Sequence, residues 1–280
     1  LRQDDKVYVL AWTTTPWTLI GNVALAMGEK IDYVLAGIRN QELGIREYYI
    51  LAKERVGEIL KDKEYEIIKE LKGKDLVGLE YKSLFDYYAK DEKSENRKNG
   101  WKIYPANFVT TEEGTGVVHI APAFGEDDMQ VAKENDLPVL MTVNLQGKFI
   151  PEITPWQGKY VAREETNKEI ISELEKRGVL FKKEEIEHDY PFCWRCGTKL
   201  IYYAKKSWFI KMTDEKIKRA LIENNEKINW VPEYIKKGRF GEWLREVKDW
   251  ALSRSIMTEK TPLSSALCVL WIYKQLCLSC

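Results

Sequence analysis

The sequence has no excess of charge of either sign and no long apolar run. Lys and Arg number 44 among the 280 residues, as do Asp and Glu, so the formal net charge is zero. Zero net charge argues against a globally basic nucleic-acid-binding protein but leaves room for a local basic path. The most apolar stretch near a terminus, 263–278, is interrupted by Ser, Lys and Gln, which makes it too short and too polar for a membrane span. With no signal peptide at the start either, we expect no membrane segment.

Cysteine is missing from the first 192 residues. An odd number of cysteines, clustered late in the chain, is not a disulfide framework and favours a reducing cytoplasmic setting. The five are Cys193, Cys196, Cys268, Cys277 and Cys280. Cys193 and Cys196 are spaced like a zinc knuckle, but a tetrahedral site needs four ligands and His188 is the only other nearby candidate. Two interpretations stay open: half a zinc site with its remaining ligands outside this chain, or two ordinary thiols in a turn.

Histidine is scarce, since only His119 and His188 occur. No spacing marks a nucleophile triad, and no HExxH zinc motif is present. A lone histidine on a short apolar strand, as at His119, is more often a satisfied core residue than a catalyst. The pair Gly114 and Gly116 lacks the third glycine and the helix of a phosphate loop. The residues alone support a pocket that binds something polar, and no more.

Short strands dominate the predicted secondary structure. Without regular βαβ spacing, they predict a mixed α/β fold whose main domain, 1–187, is β-barrel-like, closed or nearly closed, with surrounding helices. A CxxC-containing, mainly helical or irregular connection follows over 188–255, and 256–280 is an anomalous tail. Because the chain opens almost inside a strand and without Met, we expect a fragment of a longer protein. Strands are predicted at 7–11, 23–26, 33–38, 48–52, 65–71, 101–109, 117–120 and 179–187, and helices at 53–60, 163–177, 214–225 and 233–247.

One stretch organises the first domain: Trp12-Thr13-Thr14-Thr15-Pro16-Trp17-Thr18-Leu19. The apolar run before it predicts a strand, and Pro16 stops that strand because proline cannot donate to a ladder. The strand would deliver three hydroxyls and an indole to a sheet edge or pocket mouth, although threonine beside proline is also ordinary turn chemistry. A second stretch, 114–128, ends in acidic residues where a helix N-terminus favours negative charge.

Four stretches, in order, resemble motifs of isoleucyl-tRNA synthetase and its inserted editing domain. They are 12–22, 114–128, 188–200 and 248–254, so the resemblance covers about 1–255. Leucyl and valyl relatives usually carry Arg in place of Thr15 and an acidic residue in place of Trp17. The isoleucyl assignment therefore rests on Thr15-Pro16-Trp17, and the editing domain of a valyl- or leucyl-type relative is the alternative.

The resemblance implies hydrolysis of valine wrongly esterified to tRNA(Ile). One missing methylene changes binding in a hydrophobic pocket by only about 1–3 kcal/mol, and isoleucyl-tRNA synthetase is itself the standard example, with roughly 150-fold discrimination. A second, smaller site would supply the rest. The adenylate-forming motifs are absent from this sequence, so this chain is not expected to aminoacylate, and ATP binding would belong to the full-length enzyme only.

The resemblance also implies roles for individual residues. Asp128 would hold the substrate α-ammonium, and its place at a helix start would help keep it ionised. Thr13, Thr14 and Thr15 would contact the aminoacyl group and terminal ribose and help place a water, which makes Thr15 and Asp128 the implied catalytic residues. Substrate binding would involve three further side chains, with Trp17 and His119 shaping the side-chain sieve and Asn22 supporting the ribose or the threonine loop.

The implied partner is the single-stranded 3′ end of tRNA(Ile), which would stack on aromatic side chains along a local Lys/Arg path. We expect a monomer that needs no cofactor for editing. Two other functions remain open: a non-catalytic RNA 3′-end-binding module, and a zinc-knuckle scaffold centred on 188–250.

Overall fold

The computed structural model describes residues 6–39, 46–88, 96–184, 190–195 and 197–252. The chain divides into two compact units, Leu1–Tyr202 and Tyr203–Cys280, called here the first and second units. The predicted boundary between 187 and 188 lies outside the described residues, as does the predicted tail over 256–280. Both remain predictions.

In the described part of the first unit, seven strands form two sheets. The strands β1, β4, β3 and β5 lie in that order in a four-stranded sheet, and β6, β2 and β7 form a three-stranded sheet. In chain order the strands are β1 (Lys6–Val9), β2 (Ala24–Met27), β3 (Asp32–Arg39), β4 (Arg46–Ala52), β5 (Tyr65–Lys72), β6 (Lys102–Pro105) and β7 (Val117–Ile120).

The three-stranded sheet is buried on both faces at its central strand, β2. Ala24 and Ala26 belong to one cluster of buried residues, and Leu25 and Met27 belong to another. Residues that alternate along a strand point to opposite faces, so this division shows that both faces are covered. β2 runs antiparallel to β7 with Leu25 opposite His119, which places that histidine inside the unit.

A barrel, closed or nearly closed, is predicted for the first unit, but no closed barrel is found among its described residues, whose strands form two sheets. The sheets meet where the chain leaves β1. The N–H of Leu10 donates to the carbonyl of Ile50 in β4, and the N–H of Trp12 donates to the carbonyl of Val117 in β7. Trp12 thus joins the second sheet as an isolated bridge. The ladder goes no further, because the next residues, 13–15, form a loop, called here the threonine-rich loop, that leads into a 3-10 helix at Pro16. The predicted mixed α/β class is confirmed.

Helices of the first unit lie between and after the strands. The predicted helix at 163–177 is confirmed, and its buried residues Thr166, Ile170 and Leu174 follow a four-residue spacing. This helix packs against the 3-10 helix that follows the threonine-rich loop. The α-helices are α1 (Val56–Ile59), α2 (Gly73–Leu76), α3 (Glu126–Asn135) and α4 (Glu164–Lys176), and the 3-10 helices are Pro16–Gly21, Lys53–Arg55 and Arg97–Asn99.

Two predicted strands differ from the structure. The one at 101–109 is reduced to β6, whose last residue, Pro105, pairs with Met27, the last residue of β2. Over 179–184, the described part of the other, no strand forms. Phe181 there packs edge-on against the ring of Tyr49 at 4.9 Å between centroids, so this apolar side chain serves packing between elements.

The second unit contains β8 (Phe209–Ile210), α5 (Glu215–Lys227), α6 (Tyr234–Lys237), α7 (Arg239–Arg245) and β9 (Trp250–Ala251). Helix α5 begins at Asp214, whose carboxylate accepts hydrogen bonds from the N–H groups of Lys216 and Ile217. The predicted helix over 233–247 is divided at Gly238 into α6 and α7. Within the described ranges, no helix combines the length and apolar character needed to cross a membrane.

Candidate functional site

The threonine-rich loop lies between β1 and the 3-10 helix Pro16–Gly21. Proline suits the first helical position because its φ is already fixed and it has no N–H to satisfy. Within the loop, Thr13 Oγ1 accepts a hydrogen bond from the N–H of Thr15 at 3.0 Å. The hydroxyls of Thr14 and Thr15 lie 3.4 Å apart, with Thr14 exposed and Thr15 half-buried. Thr13 therefore fixes the shape of the loop, while Thr14 and Thr15 present their hydroxyls toward solvent.

Thr18 connects this loop to His119, although it is not among the site residues predicted from the sequence. Its Oγ1 donates to the carbonyl of Thr15 at 2.8 Å and lies 3.1 Å from His119 Nε2. A hydroxyl has one proton, so if that proton goes to Thr15, His119 Nε2 must carry the hydrogen of the second bond. The three-residue spacing from Thr15, one full turn of a 3-10 helix, is the sequence signal that identifies Thr18.

His119 is buried, with 8% of its surface exposed, and it is neutral. Burial lowers the pKa of its imidazole to about 4, because a charged ring would lose its hydration. Its Nδ1 has no hydrogen-bond partner among the described residues. An unpaired buried acceptor costs about 1–3 kcal/mol. His119 is therefore not the satisfied core histidine that a lone strand histidine usually is.

Asp128 lies in the first turn of α3, beside the end of β7. Its Oδ2 accepts a hydrogen bond from the N–H of Ala121 at 2.7 Å, one residue after β7 ends. Burial raises the pKa of Asp128 to about 6, although the Ala121 N–H lowers it. The position of Asp128 at a helix start was expected to keep its carboxyl group ionised, but burial has the opposite effect on the pKa. At neutral pH the group is still mostly a carboxylate, and it protonates within mildly acidic conditions.

Trp17 is a buried wall next to this carboxylate-bearing turn. It is 3% exposed, and its ring meets Phe124 edge-on with 4.8 Å between centroids. Gly125 follows Phe124 in the sequence. A side chain at this position would clash, because its Cβ would lie 2.7 Å from Asp128 Cγ. The segment between β7 and α3 therefore brings Phe124 against Trp17 and Gly125 against the Asp128 carboxyl group.

Asn22 is held at both ends of its amide. Its Nδ2 donates to the carbonyl of Ala24 at 2.8 Å, and its Oδ1 accepts from the Tyr81 hydroxyl at 2.5 Å. Burial raises the pKa of Tyr81, which keeps that hydroxyl protonated as a donor. Asn22 anchors the entry to β2 at the end of the 3-10 helix, and its contact with a ribose stays a prediction.

Two contact routes run from the threonine-rich loop toward Asp128. One passes from Thr15 through Thr18 to His119, two residues before Ala121, which binds Asp128. The other passes from Trp17 to Phe124 at the entry to α3. These contacts connect a set of polar and aromatic side chains near the end of β7, with Ala121 as the neighbour between His119 and Asp128. Such a set can bind a cationic group and orient a water beside it.

The cysteine pair is only partly described. Cys193 is buried in a turn in which its N–H donates to Thr198 and its carbonyl accepts from Gly197, both at 2.9 Å. Cys196 and His188 lie outside the described residues. Among the residues that are described, no group of three or more His, Cys, Asp or Glu side chains is arranged to hold a metal ion. A zinc half-site at Cys193 and Cys196 stays a prediction.

A cleft of about 350 Å³ lies beside the start of α4. None of the predicted site residues lines it, and Lys159 and Glu169 pair across it in an ion pair. Its charges largely offset one another, so it does not mark the functional site. Its lining residues are Lys148, Gly158, Lys159, Tyr160, Arg163, Glu165, Thr166 and Glu169.

Comparison with known proteins shows that the sequence is similar to one family of enzymes. A family model described as tRNA synthetases class I (I, L, M and V) matches residues 6–261. The isoleucine–tRNA ligase of Treponema denticola is 44% identical over 257 residues, which is 90% of this chain and 23% of the relative. That of Picrophilus torridus is 47% identical over 247 residues, or 88% of this chain and 22% of the relative. The chain therefore spans about a quarter of the length of these curated relatives.

A solved structure described as GlLeuRS-CP1 has a similar fold. The TM-score is 0.50 at 15% sequence identity, and the match covers 66% of this chain and 87% of that chain. At this identity the likeness concerns the fold alone.

Proposed function

Because this chain belongs to the class I tRNA synthetases (I, L, M and V), we propose that it is an editing domain that hydrolyses valine mischarged on tRNA(Ile). Identity of 42–47% with isoleucine–tRNA ligases supports the isoleucine branch over the valyl- or leucyl-type alternative. The observation that carries the proposal is the hydrogen-bonded link from the threonine-rich loop through Thr18 to His119, next to Asp128.

Asp128 is the anchor for the substrate in this proposal. An aminoacyl ester carries an α-ammonium group, and a carboxylate binds ammonium through a short charge-assisted hydrogen bond. Above its pKa of about 6 the Asp128 carboxylate is ionised and can do so. Because its Oδ2 is fixed by the Ala121 N–H, the bound ammonium has a defined position.

The threonine hydroxyls orient the reacting groups. The oxygen of a water molecule attacks the ester carbonyl carbon, the bond from that carbon to the ribose oxygen breaks, and the ribose oxygen gains a proton. The ester is already an activated acyl group, so holding the water and stabilising the developing oxyanion can supply much of the rate. Thr14 and Thr15 present hydroxyl donors at the loop surface for these tasks.

The walls formed by Trp17 and His119 set the size limit. Both side chains are buried and packed, and the neutral imidazole adds no charge that would oppose an apolar side chain. Closely packed side chains move little, so the steric cost of fitting one additional methylene exceeds the binding free energy that the same methylene contributes in an open pocket. The site would admit valine and exclude isoleucine.

The partner in this proposal is the single-stranded 3′ end of tRNA(Ile), bound by a monomer of this chain. Aminoacylation is not included, because it depends on adenylate-forming motifs that this sequence lacks.

The test is deacylation of valyl-tRNA(Ile) and isoleucyl-tRNA(Ile) by this chain. Asp128→Ala and Thr15→Ala should each lower the valyl rate by about tenfold to a hundredfold, the size expected for one hydrogen bond to a charged or developing-charge group. Asp127→Ala is the matched control, because Asp127 is an exposed carboxylate one residue away on the same helix. It should deacylate like the wild type.

Two results would contradict the proposal in different ways. If Asp128→Ala and Thr15→Ala match the wild-type rate, the assigned roles are wrong. If the wild-type chain binds the 3′ end of tRNA without deacylation above buffer, the chain is an RNA-binding module rather than a hydrolase.

A further inference from the structure

The 3-10 helix after the threonine-rich loop has an unusual start. Thr15 occupies its N-cap position, yet the Thr15 side chain makes no capping hydrogen bond. A threonine at this position ordinarily uses its hydroxyl oxygen to accept from one of the first free N–H groups of the helix. The structure therefore raises the question of what satisfies those groups.

Asn167 supplies the missing cap from α4. Pro16 has no N–H, and the N–H of Thr18 donates to the carbonyl of Thr15 at 3.1 Å. The remaining N–H, that of Trp17, donates to Asn167 Oδ1 at 3.2 Å across 150 residues of sequence. Every early donor of the helix is thus satisfied without the hydroxyl of Thr15.

The Asn167 amide is itself fixed in orientation. Its Nδ2 donates to the carbonyl of Val161 at 3.2 Å and to that of Arg163 at 2.9 Å. Since both acceptors engage the nitrogen, the oxygen is left to face Trp17. One side chain therefore ties the threonine-rich loop to the start of α4.

We propose that Asn167 is a positioning residue for the deacylation reaction: by capping Trp17, it leaves the Thr15 hydroxyl for the substrate. This inference rests on the proposed function. Without Asn167, the Trp17 N–H lacks an acceptor, and the nearest replacement is Thr15 Oγ1 in its ordinary N-cap role. The hydroxyl would then turn into the helix and away from the substrate.

Three variants separate this role from simple stability. Asn167→Ala removes the cap. Asn167→Asp keeps an acceptor for the Trp17 N–H and removes the two donor bonds. Thr166→Val is the matched control on the same helix, because Thr166 donates to the carbonyl of Tyr160 and does not touch the threonine-rich loop.

Deacylation of valyl-tRNA(Ile) gives the first readout. We expect Asn167→Ala to lower kcat about tenfold with KM within about twofold, as for an interaction used in the transition state. Asn167→Asp should recover only part of that loss, because it keeps an acceptor for the Trp17 N–H but sets its second oxygen against the carbonyls of Val161 and Arg163. Thr166→Val should keep the wild-type kcat. Combining Asn167→Ala with Thr15→Ala should be no worse than Thr15→Ala alone, since both remove the same hydroxyl from the reaction.

Hydrogen exchange of the Trp17 amide gives a second readout that does not depend on activity. Protection should fall in the Asn167→Ala/Thr15→Ala double variant, which leaves the Trp17 N–H with neither acceptor, and stay at the wild-type level in Thr166→Val. Wild-type kcat in Asn167→Ala, or an equal loss in Thr166→Val, would overturn the proposal. If the wild-type chain does not deacylate, the proposed function fails; unchanged Trp17 protection in the double variant would then overturn the capping role as well, and lost protection would support it.

Discussion

Two tryptophans of the first unit and two aromatic side chains of the second unit differ sharply in exposure. In the first unit, Trp17 is 3% exposed and Trp156 is 1% exposed. In the second unit, Trp208 is 79% exposed and Tyr234 is 74% exposed. Trp17 and Trp156 are thus core residues of the first unit, whereas Trp208 and Tyr234 lie at the surface of the second.

Buried polar groups differ between the units as well. His119 in the first unit has an unpaired Nδ1, and burial raises the pKa of Asp128. Asn225 in the second unit is equally buried, but its Nδ2 donates to Lys236 and its Oδ1 accepts from Trp230, both at 2.9 Å. Unsatisfied or strained polar groups tend to mark functional sites, because selection retains them despite their cost to stability. The comparison favours the first unit as the location of the candidate site.

The largest expected effect is the loss of stability when a buried tryptophan of the first unit is removed, compared with the removal of an exposed one in the second. Trp156→Ala should cost about 3–5 kcal/mol, the usual cost of a large cavity in a packed core. Trp156 packs against Phe85 and Phe149, with 5.7 and 6.4 Å between ring centroids. Trp208→Ala should cost less than about 0.5 kcal/mol, as for an exposed position.

Urea unfolding followed by circular dichroism, with hydrogen exchange of β2 and β7 to report on the first unit, measures both changes. Equal losses in the two variants would mean that exposure does not distinguish the two units.

The next effect concerns the unpaired histidine. Because the folded pKa of His119 is lowered to about 4, its stabilising contribution is present above the unfolded value near 6.5 and is lost as pH falls toward 4. Removing the titrating group should recover roughly 2–3 kcal/mol of that loss at pH 4. His119→Gln should therefore lose less stability than the wild type between pH 6.5 and pH 4.

The contribution of Asp128 to folding stability changes in the opposite sense over part of this pH range. The stability of the variant must therefore be compared with that of the wild type at each pH. Parallel stability curves for the two proteins would show that His119 does not titrate as inferred.

The smallest effect concerns Asp128. Because its folded pKa is raised to about 6, its stabilising contribution is complete below the unfolded value near 4 and is lost as pH rises through 6. Asp128→Asn should therefore raise stability at pH 7 by about 1–2 kcal/mol, a figure reduced for the partial exposure of the group. The same change should lower deacylation, and wild-type deacylation should fall below pH 6.

Stability and deacylation measured on one preparation at pH 5 and pH 7 test this trade-off, with Asp127→Asn as the exposed control. A lower stability of Asp128→Asn at pH 7 would show that burial of Asp128 is not a cost.

Local sequence carries enough information for several of these features. Helix α4 follows from the spacing of Thr166, Ile170 and Leu174, because that spacing depends on neighbours within one or two turns. Barrel closure could not be predicted, for the complementary reason. Strand content is local, but closure depends on whether Trp12 forms a ladder or a single bridge with β7, which neighbours in sequence do not decide.

By itself, the sequence determined that a threonine-rich loop precedes a proline and that an acidic turn begins a helix. Only the tertiary structure decided that Thr18 binds His119 across 101 residues and that Asn167 caps Trp17 across 150. A hydrogen bond depends on the distance and direction between two groups in space, and the number of residues between them in the sequence determines neither. The pKa values of His119 and Asp128 have the same origin, because burial is a property of the assembled unit.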